Sequence, residues 1–183
     1  MDRVFIVAVP EEVGHATTIL GSPVIFSGVG KVNAAMAATK ACEMGAKQVI
    51  NIGSCGSTTH KAGEYFKVGH VYQDIDASPL AEYGYTPFEE GDKHLVLDDA
   101  SEISLFTTDY FYDAAQSSKY SDHYLEMIEQ CDIMDMECYA LAKVCAAHDV
   151  DFQSFKWVSD DGDATSWEAN CKIGFEHVLE LLE

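Results

Sequence analysis

Three short runs of apolar, largely β-branched residues constrain the fold of this chain most strongly. Each ends in small residues or glycine: RVFIVAV (3–9), PVIFSGVG (23–30) and KQVINIGS (47–54). Such runs are typical of strands buried on both faces of a parallel sheet. Between the second and third lies KVNAAMAATKACEMGA, alanine-rich, with apolar residues at helical spacing and a glycine near its end. The order strand, helix, strand predicts a βαβ unit with parallel strands.

The rest of the chain continues this alternation. Further strands are predicted at EISLFTTDYFYDA (102–114) and FQSFKWVS (152–159). Helices are predicted at MECYALAKVCAAHD (136–149) and at the amphipathic WEANCKIGFEHVLELLE (167–183), whereas HYLEMIEQCD (123–132) fits either a helix or a helix-to-strand connection. Residues 79–93 form a predicted surface loop rich in Gly, Pro and Tyr. The pattern favours one α/β domain, residues 1–183, with a largely parallel central sheet.

Charge and hydropathy exclude several classes of partner. The formal charge is −20, from 31 acidic and 11 basic residues, and this charge repels nucleic acids and anionic membranes. No apolar run is long enough for a membrane span or a secretory signal. The six cysteines form no CxxC pair, so we interpret them as reduced thiols. A cytoplasmic protein is expected.

Chemistry is expected at the segments that follow the strands, since ligands of such sheets bind beyond the carboxyl ends of the strands. Four acidic residues follow strands or open a helix: Glu12, Asp109, Glu137 and Asp160. One such residue alone is more often a solvated carboxylate or a helix cap. Several at one edge of a sheet indicate an enzyme that needs an acid and a base in one cleft.

Other polar patterns carry less weight. SGVGK lacks the spacing of a phosphate-binding loop, so Gly28 and Gly30 are interpreted as a tight turn. His70, Asp74 and Asp76 alternate as on a strand, without Cys or His companions, and a solvated face is favoured over a metal site. The sequence implies neither a metal nor a cofactor.

Four segments together resemble a known family. FSGVGKVNAAMAATKA, NIGSCGS, DMECYALAKVCAAHDVDF and KWVSDDGD are similar, in order and spacing, to the purine nucleoside phosphorylase and nucleosidase superfamily. Within it they look most like the 5'-methylthioadenosine/S-adenosylhomocysteine nucleosidases. The resemblance implies a three-layer α/β/α fold with a mixed, largely parallel sheet. It also implies hydrolysis of the N-glycosidic bond of a 5'-substituted adenosine.

The resemblance also implies roles for individual residues. Glu12, or the adjacent Glu11, would activate water, and Asp160 would protonate purine N7, steadied by Ser159. Glu137 would bind the ribose hydroxyls, Met136 would pack on the sugar, and Ser54 would line the sugar end. Phe111 would stack on the base, and the backbone of Tyr112 would read the adenine edge. The resemblance assigns Asp135 no direct chemical role, and a capping or solvated role is expected for it.

Two alternatives stay open at this point. Superfamily phosphorylases bind phosphate through an arginine after the first strand and another close to the GS loop, and this chain has none at either place, which favours water as the nucleophile. A phosphorylase with an unusual phosphate site remains one alternative, and a catalytically inactive nucleoside-binding protein is the other. Members of the family are generally homodimers or larger, so a homodimer is expected.

Overall fold

A computed structural model describes residues 2–182 of the chain. Its strands are β1 (Arg3–Val7), β2 (Thr18–Ile19), β3 (Ser22–Phe26), β4 (Gln48–Gly56), β5 (Tyr65–Lys67), β6 (His70–Gln73), β7 (His94–Val96), β8 (Ser104–Thr107), β9 (Ile133–Asp135) and β10 (Asp151–Asp160). Its helices are α1 (Lys31–Glu43), α2 (Asp122–Gln130), α3 (Cys138–Ala147), α4 (Ala164–Asn170) and α5 (Phe175–Glu180), with 3-10 turns at Pro10–Val13 and Ala114–Lys119.

The strands form one mixed, largely parallel sheet in the order β2, β3, β1, β4, β9, β8, β6, β7. The strand β10 runs parallel to β4 along its whole length and carries β5 antiparallel on its other side. The parallel pairs β3–β1, β1–β4 and β4–β10 confirm the predicted βαβ arrangement. Their carboxyl ends meet at one edge of the sheet.

Alternate residues of the central strands enter two different cores, as strand geometry requires. Val4 and Ile6 of β1 pack with helices α1 and α3, whereas Phe5 and Val7 pack on the opposite face, where α5 contributes Val178. A third cluster joins Phe106 of β8 to the apolar face of α2. Helices therefore cover both faces of the sheet, and the predicted α/β/α layering is confirmed.

The predicted C-terminal helix is wrong in one respect, because it divides into α4 and α5. At the break, a side chain on Gly174 would place its Cβ 2.2 Å from Cβ of Trp157. The chain must pass close to β10 at this point, and the glycine that permits this approach also weakens a helix. The predicted strand at 102–114 is likewise shorter, since β8 ends at Thr107 and an irregular segment follows.

Within the described residues, no helix is both long enough and apolar enough to cross a membrane.

Candidate active site

One cavity of about 260 Å³ opens at the carboxyl edge of the sheet. The ends of β4 and β10 contribute to its wall, together with the segments that follow β1, β3, β8 and β9 and with Trp167 of α4. Eight residues to which the family resemblance gives roles line it: Glu12, Ser54, Phe111, Tyr112, Met136, Glu137, Ser159 and Asp160. Their chemical roles are argued below as proposals.

Glu12 is positioned by the 3-10 turn that follows β1. Pro10 starts this turn, and the Glu12 carboxylate accepts a hydrogen bond from Val9 N at 3.3 Å. Its other oxygen, Oε1, accepts from both the backbone N and the hydroxyl of Ser54, each at 2.7 Å. The side chain is buried, and burial raises its pKa, against the opposing effects of Ser54 and of the positive charge on Lys156.

The contact between Glu12 and β4 requires a glycine next to Ser54. A Cβ added to Gly53 would lie 3.1 Å from Oε1 of Glu12, closer than a methyl group and a carboxylate normally approach. The motif NIGSCGS therefore provides both the hydrogen-bond donors for the carboxylate and the space that it occupies.

Glu137 lies directly before α3 and faces the cavity. Its Oε1 accepts a hydrogen bond from Gly30 N at 2.9 Å, so the turn between β3 and α1 holds it in place. Burial, followed by the negative charge of Asp135, raises the pKa of Glu137 to about 8, while Lys156 acts in the opposite direction. Among the described residues no hydrogen bond occupies Oε2, which is therefore free to bind a ligand.

Asp135 is buried, so the solvated role suggested for it is wrong. It does cap α3, since its Oδ2 accepts from Cys138 N at 2.9 Å. The same oxygen lies 2.9 Å from Nζ of Lys156, which is buried as well. Burial alone would lower the pKa of Lys156, but the negative charge of Asp135 raises it above its usual value. The two side chains form a buried ion pair, and Asp135 also lines the cavity.

A β-bulge aims the end of β10 into the cavity. Val158 pairs with Cys55 and Asp160 with Gly56, so Ser159 is the extra residue on β10. Bulges of this kind redirect side chains. Here both Ser159 and Asp160 reach the cavity.

Asp160 has an environment that accommodates either protonation state. Burial raises its pKa, although Gly162 N donates to Oδ1 at 3.0 Å. The Ser159 hydroxyl lies 2.8 Å from Oδ2 and 3.1 Å from the carbonyl oxygen of Cys55. A hydroxyl has one proton, so Ser159 can donate to the charged carboxylate, or donate to the carbonyl and accept from the protonated acid. A side chain of this kind is suited to proton transfer.

Aromatic residues from the segment after β8 form another wall. Phe111 is partly exposed at the cavity, and Tyr112 packs against Gly162, where any Cβ would come within 2.9 Å of the tyrosine ring. Tyr120 fixes this segment, because its hydroxyl accepts from Asp113 N at 3.0 Å and donates to the Phe111 carbonyl at 3.3 Å. No hydrogen bond among the described residues uses the backbone N or O of Tyr112.

The interpretation of His70 and Asp74 as a solvated face is wrong. The Asp74 carboxylate is only 5% exposed, forms an ion pair with Lys31 and accepts from the Thr108 hydroxyl. Nδ1 of His70 is buried as well, although the residue as a whole is half-buried. Asp76 is exposed, as expected. The remaining acidic candidate, Asp109, lies outside the cavity wall and accepts from Lys31 N at 3.0 Å.

Sequence reasoning missed two functional candidates. Trp167 of α4 lines the cavity and donates from Nε1 to the Ser54 hydroxyl at 3.0 Å. Lys156 lies within FQSFKWVS, a segment that was predicted only as a strand. The only available signal for Lys156 was a lysine flanked by aromatic residues in a buried strand, where an unpaired charge would be costly.

The fold is of the nucleoside phosphorylase type. The family model of the phosphorylase superfamily matches residues 5–72. A 5'-methylthioadenosine/S-adenosylhomocysteine nucleosidase from Listeria innocua is 28% identical over 175 aligned residues, covering 78% of this chain and 70% of the relative. The resemblance read from the motifs is thus confirmed, including the likeness to N-ribosyl hydrolases of the purine nucleosidase kind.

Solved structures agree with this assignment of the fold. The futalosine hydrolase of Helicobacter pylori superposes with a TM-score of 0.80 at 18% identity, covering 99% of this chain and 95% of that one. A 5'-methylthioadenosine/S-adenosylhomocysteine nucleosidase from Colwellia psychrerythraea, in complex with adenine, gives a TM-score of 0.81 at 20% identity. It covers all of this chain and 93% of its own. At these identities the likeness establishes the fold, and substrates are argued next.

Proposed function

We propose that the protein hydrolyses the N-glycosidic bond of a 5'-substituted adenosine, of the methylthioadenosine or S-adenosylhomocysteine class, and releases adenine. The observation that carries this proposal is the set of three buried carboxylates, Glu12, Glu137 and Asp160, which face one cavity from three different parts of the sheet. Burying carboxylates without counterions is costly, so their convergence requires a chemical use.

In this proposal Glu12 activates the attacking water, and Asp160 protonates the leaving purine. Glu12 takes a proton from water as the water oxygen bonds to the anomeric carbon. The bond from that carbon to N9 breaks, its electron pair passes to the purine, and Asp160 supplies a proton at N7. The raised pKa of Asp160 supports its role as the acid. General acid and base catalysis of this kind typically contributes a factor of about 10² to 10⁴.

The remaining residues of the wall bind the nucleoside. The free Oε2 of Glu137 accepts from the ribose hydroxyls in charge-assisted hydrogen bonds. Met136 packs on the apolar face of the sugar, and Ser54 lines the same end. Phe111 stacks on the purine. The unused backbone groups of Tyr112 bind its edge, and Ser159 holds Asp160 in place.

Water is the nucleophile we favour over phosphate. No residue lining the cavity carries a positive charge, and the single arginine of the chain, Arg3, lies at the opposite end of β1 from Glu12. A phosphate placed beside Glu12 would be repelled. The relative from Listeria innocua, a nucleosidase by name, supports the same choice.

The direct test is to incubate the protein with methylthioadenosine, S-adenosylhomocysteine and futalosine in phosphate-free buffer and to analyse the products. Futalosine is included because of the likeness to a futalosine hydrolase. We expect free adenine from the first two. Strict dependence on added phosphate, with a sugar phosphate as product, would instead establish the phosphorylase.

A substitution separates an enzyme from an inactive binding protein. Asp160→Asn keeps the shape of the site and removes the acid, so turnover should fall about 10² to 10⁴-fold while nucleoside binding persists. Asp161→Asn is the matched control, because Asp161 is exposed and lies outside the cavity wall. Binding without turnover in the unaltered protein would favour the inactive nucleoside-binding alternative.

We also propose a cytoplasmic homodimer built from this single domain of 183 residues. Large apolar side chains are exposed at Val32 and Met36 on α1 and at Leu80 and Phe88 in the loop after β6. Isolated exposed apolar residues are ordinary, but adjacent ones on a helix favour an interface. Light scattering should give twice the chain mass, and Met36→Glu should shift it toward the monomer.

A further inference from the structure

Trp167 lines the cavity, and the proposed reaction assigns it no role. It lies on α4, and its indole Nε1 is 3.0 Å from the hydroxyl oxygen of Ser54 on β4. Ser54 in turn lies 2.7 Å from Oε1 of Glu12. A chain of three side chains from separate elements therefore leads from the indole to the carboxylate.

The chemistry of the groups fixes the direction of this chain. An indole N–H can only donate a hydrogen bond, so the Ser54 oxygen must accept from Trp167. A serine hydroxyl has a single proton, and the carboxylate of Glu12 is the acceptor within reach of it. The Ser54 proton consequently points at Oε1.

The result is an unequal use of the two oxygens of Glu12. Oε1 accepts both the hydroxyl and the backbone N of Ser54, which occupy its two lone pairs. From the residues that the structure describes, Oε2 accepts only the longer bond from Val9 N, at 3.3 Å. One lone pair of Oε2 is left for a water molecule in the cavity.

Helix α4 is held firmly enough to support this role. Asp163 caps its first turn through Thr165 N and Ser166 N. At its other end, Nδ2 of Asn170 donates to the Ser159 carbonyl at 3.0 Å. The helix that carries Trp167 is thereby tied to the strand that carries Asp160.

We propose that Trp167 is a positioning residue for hydrolysis: its indole N–H orients the Ser54 hydroxyl and, through it, presents the free lone pair of Glu12 Oε2 to the attacking water. This inference rests on the proposed function. It assigns Trp167 no contact with the reacting atoms, so its effect should require Ser54.

Trp167→Phe tests the proposal, because phenylalanine keeps an aromatic face and removes the N–H. Loss of one neutral hydrogen bond predicts a fall in kcat of about 2- to 10-fold, with little change in KM. The Ser54 bond lowers the pKa of Glu12. The acid limb of the kcat/KM profile should therefore move to higher pH.

A double-mutant cycle gives the decisive measurement. Ser54→Ala should reproduce the pH shift without disturbing α4, and adding Trp167→Phe to it should cost nothing more. The matched control is Trp157→Phe, which removes an indole N–H that donates to the Cys171 carbonyl and not to a cavity residue. This variant should leave the pH profile unchanged, with circular dichroism used to check folding.

Three results would overturn the proposal: equal losses from Trp167→Phe with and without Ser54, a change confined to KM, or an unmoved acid limb. The first two would make Trp167 a substrate contact. Each of these three results can be observed only if the unaltered protein releases adenine. Absence of any adenine release would reject the proposed function itself, so the two failures are distinguishable.

Discussion

Replacing Lys156 by methionine should destabilise the protein more than any other single loss of charge. Nζ of Lys156 lies 2.9 Å from Oδ2 of Asp135, and both side chains are almost fully buried. At an effective dielectric constant of about 20, unit charges at this distance attract by about 6 kcal/mol. Desolvation offsets much of this attraction. Removing one partner nevertheless leaves a buried unpaired charge, at a cost of about 3 to 5 kcal/mol.

The remaining hydrogen bonds of Asp135 place the expected cost near the lower end of that range. The Thr107 hydroxyl donates to Oδ1 at 2.7 Å, and Cys138 N donates to Oδ2, and neither depends on the lysine. With a urea m-value of about 2 kcal/mol/M, the unfolding midpoint of Lys156→Met should fall by about 1.5 M or more. Unfolding followed by circular dichroism measures this shift.

Two further variants make the measurement specific. Lys143→Met on α3 removes a lysine whose ion pair with Glu89 is partly exposed, so it should cost less than about 1 kcal/mol. Combining Lys156→Met with Asp135→Asn removes both charges and should recover at least about 2 kcal/mol. The reasoning is refuted if Lys156→Met costs less than about 1 kcal/mol, or if the double variant is no more stable than Lys156→Met.

Three other outcomes follow from the geometry of the site. Nucleoside binding near pH 7 should release a proton from Glu137, because its pKa of about 8 falls when ribose hydroxyls stabilise the charged form. Calorimetry in buffers of different ionisation enthalpy should detect this proton release. The variant Glu137→Gln should abolish it. Gly53→Ala should lower kcat about tenfold or more by displacing Glu12, without a comparable loss in unfolding free energy. Tyr120→Phe frees the Phe111 segment, so KM should rise about fivefold with a smaller change in kcat, and an unchanged KM would contradict the assigned role of its hydroxyl.

The fold could be predicted because its central strands are buried on both faces. The apolar runs that became β1, β3, β4 and β10 leave few alternatives to a parallel sheet, and the alanines of α1 match the close packing against α3. Strand β9 could not be predicted, since its three residues, Ile133–Asp135, are too few to show a period. Its position is set by pairing with β8.

The site residues likewise include some that could be predicted from the sequence and some that could not. The carboxylates and their loops carry recognisable motifs, whereas the contacts of Trp167 and Lys156 join positions far apart in the sequence, such as the Trp167 to Ser54 bond. A hydrogen bond between α4 and β4 depends on where the chain turns after β10. Local sequence patterns do not predict that turn. The β-bulge at Ser159 has the same origin, because it is a property of two paired strands.

The distribution of charge explains why nearly identical carboxyl groups can perform opposite tasks. Four buried carboxylates line the cavity, Glu12, Asp135, Glu137 and Asp160, and Asp135 already pairs with Lys156, the one buried lysine among the described residues. Ionising the other three together would be costly, so the group with the best-stabilised anion should lose its proton first. Glu12 has three hydrogen-bond donors and the attraction of Lys156, whereas Asp160 has two donors, one of which can reverse. Under the proposed function, Glu12 is therefore the base because more hydrogen-bond donors stabilise its charged form. Removing the Ser54 hydroxyl should reduce the difference between Glu12 and Asp160 in their tendency to lose a proton.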